Sequence, residues 1–311
     1  MKDISSEKQI VKVLEYIEDR LSEELNLEHL AGIADYSPYH FQRLFKKVLG
    51  ETPAGYVKRL RLENAAHKLI YESGSTVTEI ALTCGFSSLS YFTYSFNENF
   101  GISPKAWREG GYLELFPREY LDSKNSKVIR NNTKENPQGQ GYTDFTWLDL
   151  DRVKVVTIPG GRTINRYHIG SYIEGIPSVW EDLYSWSDSR GLLRDDTMMI
   201  GVPRSNPYIT PPEKSRYDCM VSVPYSEIKD SGEETVPLKG GLHVIYEFEE
   251  PVLYQERGKL IECYSELYSY WLPKSGYKYL SNPVEFIDLN RGNAFDFSCR
   301  IRAIGLAIEP K

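Results

Sequence analysis

Residues Ser37–Leu62 read SPYHFQRLFKKVLGETPAGYVKRLRL. Serine followed by proline marks a helix start. The hydroxyl caps free backbone N–H groups, and proline fits the first turn, where its missing N–H is not needed. Phe41, Leu44, Phe45 and Val48 then recur at three- and four-residue steps, the apolar stripe of a helix. Gly50 is a natural stop, and Thr52-Pro53 opens the next helix with the same pair of signals. Turning the stripe inward leaves Pro38, Tyr39, His40, Gln42, Arg43, Lys46 and Lys47 facing out. Together with Lys58, Arg59 and Arg61, the stretch sets six bases against a single acid, Glu51, in a chain of net charge −7. A local basic face in an acidic protein points to a particular anionic partner.

The stretch is also one copy of a repeat. Ser37, Phe41, Phe45, Gly50, Thr52-Pro53 and Tyr56 have counterparts 51 residues on, at Ser88, Phe92, Phe96, Gly101, Ser103-Pro104 and Trp107. Upstream, Leu30-Ala31 corresponds to Ile80-Ala81. The repeating unit is a short helix, a tight turn and a longer helix, so the pattern predicts two helix-turn-helix units. An amphipathic helix carried by Ile10, Val13, Leu14, Ile17 and Leu21 precedes them.

In such a unit the second helix enters the major groove and its N-terminal residues reach base edges. Gln42 can pair with adenine, Arg43 with guanine, and Tyr39 can pack on a thymine methyl. Lys46, Lys47, Lys58, Arg59 and Arg61 suit phosphates, which fix position without reading sequence. The basic face is therefore expected to be a footprint for DNA.

Ser37–Arg61 and Ser88–Arg108, the latter within GFSSLSYFTYSFNENFGISPKAWR, resemble the AraC/XylS family of transcription regulators over roughly residues 5–108. The resemblance implies two reading heads joined by a long helix over 54–73, entering successive major grooves. Its base-reading positions fall on Tyr39, Gln42 and Arg43, and on Ser90, Tyr91, Thr93 and Tyr94. The second copy departs from the family pattern: Tyr94 and Asn97 stand where bases are usual, so the first unit is expected to supply most affinity.

Residues 110–148, rich in Asn, Ser, Lys, Gln and Gly, read as a linker between a domain over 1–109 and one over 149–311. The second domain alternates strand and helix patterns. Strands are expected at Lys154–Ile158, Arg162–Tyr167, Met198–Val202, Cys219–Val223, Gly241–Phe248, Val284–Asp288 and Ser298–Ile308, with helices near 173–190 and 256–272. A second repeat relates PGGRTINRYHIGSYIEGIPSVWEDLYSW to LKGGLHVIYEFEEPVLYQERGKLIECYSELYSYW. Two such halves are expected to pack face to face and leave a cleft. The fold class is thus multidomain: an all-α double helix-turn-helix domain followed by an α+β (α/β) pseudo-two-fold domain.

The C-terminal half holds no GxSxG, HExxH, P-loop or GxGxxG pattern, so no catalytic residue is assigned. His168 and His243 lack metal-ligand spacing and read as structural, and no metal or cofactor is expected. Cys84, Cys219, Cys263 and Cys299 are unpaired in spacing and read as buried reduced thiols. No signal peptide or membrane span is expected, and a reducing cytoplasm fits.

The segments RYHIGSY, VWEDLYSW, IGVPRSNPYITPPEKSRYDCMVSVP, YWLPKSGYKY and NPVEFIDL resemble the GyrI-like effector-binding domain over about residues 150–310. That resemblance implies an aromatic-walled cleft for bulky, cationic or aromatic molecules, with Glu285 as the ligand-facing acid. The proline before it stands one residue nearer than in the family pattern. Candidate walls are Tyr167, Tyr172, Trp180, Tyr225, Tyr246, Tyr268 and Trp271. A carboxylate among rings attracts a cation through charge and ring quadrupole together. The expected protein is a transcription regulator and not an enzyme. Its expected partners are double-stranded promoter DNA, a small-molecule effector and RNA polymerase, and it works as a monomer or weak dimer. The alternative is a hydrolase of a reactive small molecule acting in the same cleft.

Overall fold

The structure, a computed structural model, describes residues 4–72, 74–112, 152–207, 209–223, 235–280, 282–291 and 297–311. Nearly all of the expected linker lies outside them. The chain divides into two units, Met1–Glu114 and Leu115–Lys311.

The described part of the first unit is helical: α1 Ile4–Asp19, α2 Leu27–Ile33, α3 Pro38–Leu49, α4 Pro53–Tyr71, α5 Val77–Thr83, α6 Leu89–Phe100 and α7 Pro104–Arg108. The repeat read from sequence is built twice in space. Ser37 and Ser88 each cap their helix by accepting from a backbone N–H three residues on, and Gly50 and Gly101 end α3 and α6 at φ 75° and 72°. Phe41 and Phe45 pack edge-on at 5.4 Å and 63°; Phe92 and Phe96 do so at 5.4 Å and 62°. Tyr56 closes the first copy against Phe45 at 5.5 Å, and Trp107 the second against Phe96 at 5.5 Å. The four phenylalanines are fully buried. The Trp107 indole N–H also donates to the Ala66 carbonyl at 3.1 Å, tying the second copy to α4.

The described residues of the second unit form a nine-stranded antiparallel sheet with helices. In chain order it runs β1 Val153–Ile158, β2 Gly161–Ile169, α8 Ile176–Asp188, β3 Met199–Pro203, β4 Arg216–Val223, β5 Val236–Leu238, β6 Gly241–Leu253, α9 Arg257–Glu266, β7 Tyr277–Tyr279, β8 Val284–Arg291 and β9 Phe297–Pro310. A π-turn over Leu267–Trp271 continues α9. The strand order is β1-β6-β9-β8-β3-β4-β2-β5, with β7 on β9. The halves β2-α8-β3-β4 and β6-α9-β8-β9 therefore share one topology, and the order reads symmetrically about the β8–β3 junction.

The expected face-to-face packing is corrected by this order. The halves join edge to edge, because β3 and β8 hydrogen-bond in the register Ile200↔Phe286 and Gly201↔Glu285. Pairing these edges satisfies backbone groups that face-to-face packing would leave open. At the far end, the two Gly-Gly turns meet: a Cβ on Gly240 would come within 2.8 Å of the Gly160 Cα.

Candidate functional site

The helices α3 and α6 turn most of the residues expected to read bases toward solvent, with different chemistry. On α3, Tyr39, His40, Gln42, Arg43, Lys46 and Lys47 are exposed, Tyr39 to 77 %, while Phe41 and Phe45 point into the core. On α6, Ser90, Tyr91 and Tyr94 are exposed, Tyr94 to 65 %, and Thr93 is half-buried. The outward edge of α3 thus carries three cations, and that of α6 carries hydroxyls and rings.

Two bases read as phosphate contacts are committed elsewhere. Arg59 lies between Glu51, just before α4, at 2.6 Å and Glu63 of α4 at 2.9 Å, with its side chain only 10 % exposed, so both carboxylates already engage its guanidinium. Arg61 donates to the carbonyls of Leu21 at 2.7 Å and Glu23 at 2.6 Å, pinning the chain just after α1 onto α4. The turn of the second head crowds that pin: Gly85 sits at φ +82°, and a Cβ there would stand 2.8 Å from the Leu21 oxygen and 2.9 Å from the Arg61 Nε. Lys58 pairs with Glu98 of α6 at 2.9 Å.

In the second unit, Glu285 is fully buried at the β8–β3 junction. The Tyr217 hydroxyl donates to its Oε2 at 2.6 Å, and the Tyr264 hydroxyl to its Oε1 at 3.3 Å. The Tyr254 hydroxyl lies 2.6 Å from that of Tyr217, and the Trp180 indole N–H donates to Tyr254 at 3.1 Å. Since Tyr217 gives its proton to the carboxylate, Tyr254 gives its own to Tyr217, and the chain runs Trp180 to Tyr254 to Tyr217 to Glu285. Burial, and then the Glu285 charge, push the Tyr254 phenol well above its ordinary pKa, which keeps it a neutral donor.

Gly201 makes room for this chain. It faces Glu285 across the junction, and any Cβ there would overlap the Tyr217 hydroxyl. Tyr172, also fully buried, packs edge-on against Tyr217 at 5.5 Å and donates to the Arg216 carbonyl at 2.5 Å.

The remaining candidate walls scatter. The cross-strand row Tyr246, Ile304, Glu285 places Tyr246 on the acid's face but two strands away, where it packs with Phe248 at 5.3 Å. Tyr167 is set apart from the acid by strand register. It pairs with Asp218, one position out of step with the Cys219–Gly201–Glu285 row, so it lies on the opposite face. There the Arg216 guanidinium stands 5.9 Å from its ring. Tyr268 and Trp271 meet Tyr279 and Tyr277 of β7, at 5.1 Å and 6.2 Å. Tyr225 lies outside the described residues.

Sequence reasoning missed Tyr217, Tyr254 and Tyr264. Tyr264 stands one helical turn before Tyr268, a spacing that could have exposed it. His168 and His243 are satisfied by the Ser171 and Gly241 carbonyls at 3.1 and 3.0 Å, and all four cysteines are buried. Among the described residues no helix is long and apolar enough to cross a membrane.

A twice-built helix-turn-helix ahead of a pseudo-symmetric sheet unit with a buried acid defines a two-headed helix-turn-helix protein with an appended binding unit. Comparison with known proteins gives the family. A helix-turn-helix domain model matches residues 30–110, and the model of the GyrI-like small molecule binding domain matches residues 151–296. The probable transcription factor PqrA of Proteus vulgaris is 36 % identical over 103 residues, 32 % of this chain and 84 % of PqrA. The bifunctional transcriptional activator/DNA repair enzyme AdaA of Bacillus subtilis (strain 168) is 34 % identical over 102 residues, 33 % of this chain and 48 % of AdaA. A solved AraC-type transcriptional regulator from Chromobacterium violaceum is 29 % identical and covers 34 % of this chain and 94 % of that one, at a TM-score of 0.32. The chain spans about half the length, or less, of the curated relatives it first matches. The chain belongs to the AraC-type family of helix-turn-helix transcriptional regulators and carries a GyrI-like small-molecule-binding domain. The matches lend no support to the hydrolase alternative.

Proposed function

We propose that this protein is a sequence-specific regulator of AraC/XylS type that binds promoter DNA and is controlled by a bulky aromatic or cationic molecule held by the GyrI-like unit. The observation that carries it is the outward edge of α3, where Gln42 and Arg43 stand beside Lys46 and Lys47 on a helix whose inner edge is fixed by Phe41 and Phe45. Gln42 and Arg43 read bases, Lys46 and Lys47 hold phosphates, and α6 reads through Ser90, Tyr91, Thr93 and Tyr94. Two heads on one chain can fill successive grooves, so a monomer or weak dimer in the cytoplasm suffices, with RNA polymerase as the partner at the promoter. The regulator reading leaves no catalytic step to assign.

The ligand acid is Glu285, with Tyr217, Tyr254, Tyr264, Trp180 and Tyr172 as its surround. Because Glu285 is fully buried, a guest must part the residues over it, and the free energy of that opening is subtracted from its affinity. Binding of genomic promoter fragments by the full chain, with and without cationic aromatic compounds, tests the whole reading. Selective binding that shifts with the compound supports it, and indifference to every fragment sinks it. For the acid, the paired probe is a planar cationic dye and its neutral isostere. Glu285→Gln is expected to lose about tenfold for the cation and little for the neutral dye. An undiminished preference for the cation would remove Glu285 from the site.

A further inference from the structure

We infer that Lys58, on α4, is the phosphate-gripping cation of the second reading head, and that Glu98 holds it in the free protein until DNA takes its place. The inference rests on the DNA-binding reading above.

The second head has a deficit that its own helix does not fill. From Leu89 to Phe100, α6 contains no lysine or arginine, and its one charged residue is Glu98. A groove-facing helix whose charge is negative is repelled by the phosphates it must pass. Yet one cation does stand at its surface. The Lys58 ammonium lies 2.9 Å from the Glu98 carboxylate, bridging α4 to the last turn of α6. The exposed Tyr91 and Tyr94 precede Glu98 at i−7 and i−4, so they lie on the same face of α6 as the carboxylate that holds the ammonium. The tyrosines assigned to base contact and this ammonium therefore share one surface.

The other bases of this part of α4 are fixed: Arg59 between two carboxylates with its side chain 10 % exposed, Arg61 on two carbonyls. Lys58 is different in kind. It and Glu98 are 37 % and 55 % exposed, and an ion pair in that setting is held weakly enough for a phosphate to displace the carboxylate. On docking, the ammonium exchanges Glu98 for a backbone phosphate, and the carboxylate is left beside the duplex. Glu98 thus opposes loose gripping, and the second head closes only where contacts through Tyr91 and Tyr94 offset that opposition.

The test titrates the full-length protein against a labelled mixed-sequence duplex three helical turns long, at a series of KCl concentrations. Lys58→Ala is expected to reduce the slope of log K against log [KCl] by about one, with Lys58→Arg restoring it. Glu98→Gln is expected to tighten binding about threefold, a gain that shrinks when Lys58 is already alanine. An unchanged slope in Lys58→Ala, or an equal Glu98→Gln gain in both backgrounds, overturns the inference. If the wild type binds and Arg43→Ala weakens it while Lys58→Ala matches the wild type, this inference alone falls. A wild type that ignores the duplex brings down the DNA-binding reading and this one with it.

Discussion

Each half of the molecule is a duplication, and in each the two copies keep one scaffold while only one keeps the strong chemistry. In the first unit, α3 and α6 share cap, phenylalanine pair, glycine stop and closing aromatic, with ring distances that agree copy to copy. Their outward edges have parted: Arg43, Lys46 and Lys47 on one, Tyr94, Asn97 and Glu98 on the other. In the second unit, two pairs face each other across the symmetric junction, Ile200 with Phe286 and Gly201 with Glu285, and in the second an acid faces a bare glycine. Scaffold positions are held by packing and capping that each copy must satisfy for itself. Surface and junction positions are free to diverge, and at the junction the bare Cα of Gly201 makes room for Tyr217 beside Glu285.

The sharpest way to break the comparison is to give the empty copy a side chain. Gly201→Ala places a Cβ on the Tyr217 hydroxyl, and we expect a loss of about 3 kcal/mol in chemical unfolding of the sheet unit. Adding Tyr217→Phe should restore little of it, since a ring carbon would still stand 2.6 Å from the new Cβ and Glu285 would lose a donor. Full stability in the single variant would mean that Gly201 is not what accommodates the hydroxyl. The next effect is in the reading heads. Arg43→Ala should cost about 2 kcal/mol of specific DNA binding and relax one base position, whereas Tyr94→Ala should cost under about 1 kcal/mol. Equal losses, measured on a mapped operator, would erase the asymmetry between the heads.

The helical frame was legible because its signals are local. Ser37-Pro38, Gly50, Thr52-Pro53 and their counterparts each act on backbone groups within a turn of themselves. Charge was less legible: Arg59 and Arg61 look like Lys46 and Lys47 in sequence, and only packing reveals that Glu51, Glu63 and two carbonyls near residue 22 claim them. Glu285 could be placed through its family-like surroundings, but its tyrosine partners could not. Whether Tyr217 or Tyr167 meets the acid depends on strand register, and one step of register moves a side chain to the other face. The edge-to-edge joining of the halves is likewise set by backbone pairing between strands far apart in sequence.

The turns of the two helix-turn-helix units carry the smallest testable difference. Asp35 sits at φ 57°, a left-handed conformation that costs an L-residue energy; its counterpart Gly85 sits at φ 82° without that cost. Gly85 has to be glycine for a second reason, the Leu21 oxygen and Arg61 Nε that crowd it, whereas Asp35 is exposed and already carries a side chain there. Asp35→Gly should therefore stabilise the first unit by about 0.5 kcal/mol, the relief of strain being partly offset by a freer unfolded chain. Gly85→Asp should destabilise it by more than that, through both strain and collision. The helix-dominated circular dichroism transition reads both. If the two substitutions moved it equally and in the same direction, the second head's turn would not be the one crowded by the Leu21 oxygen and Arg61.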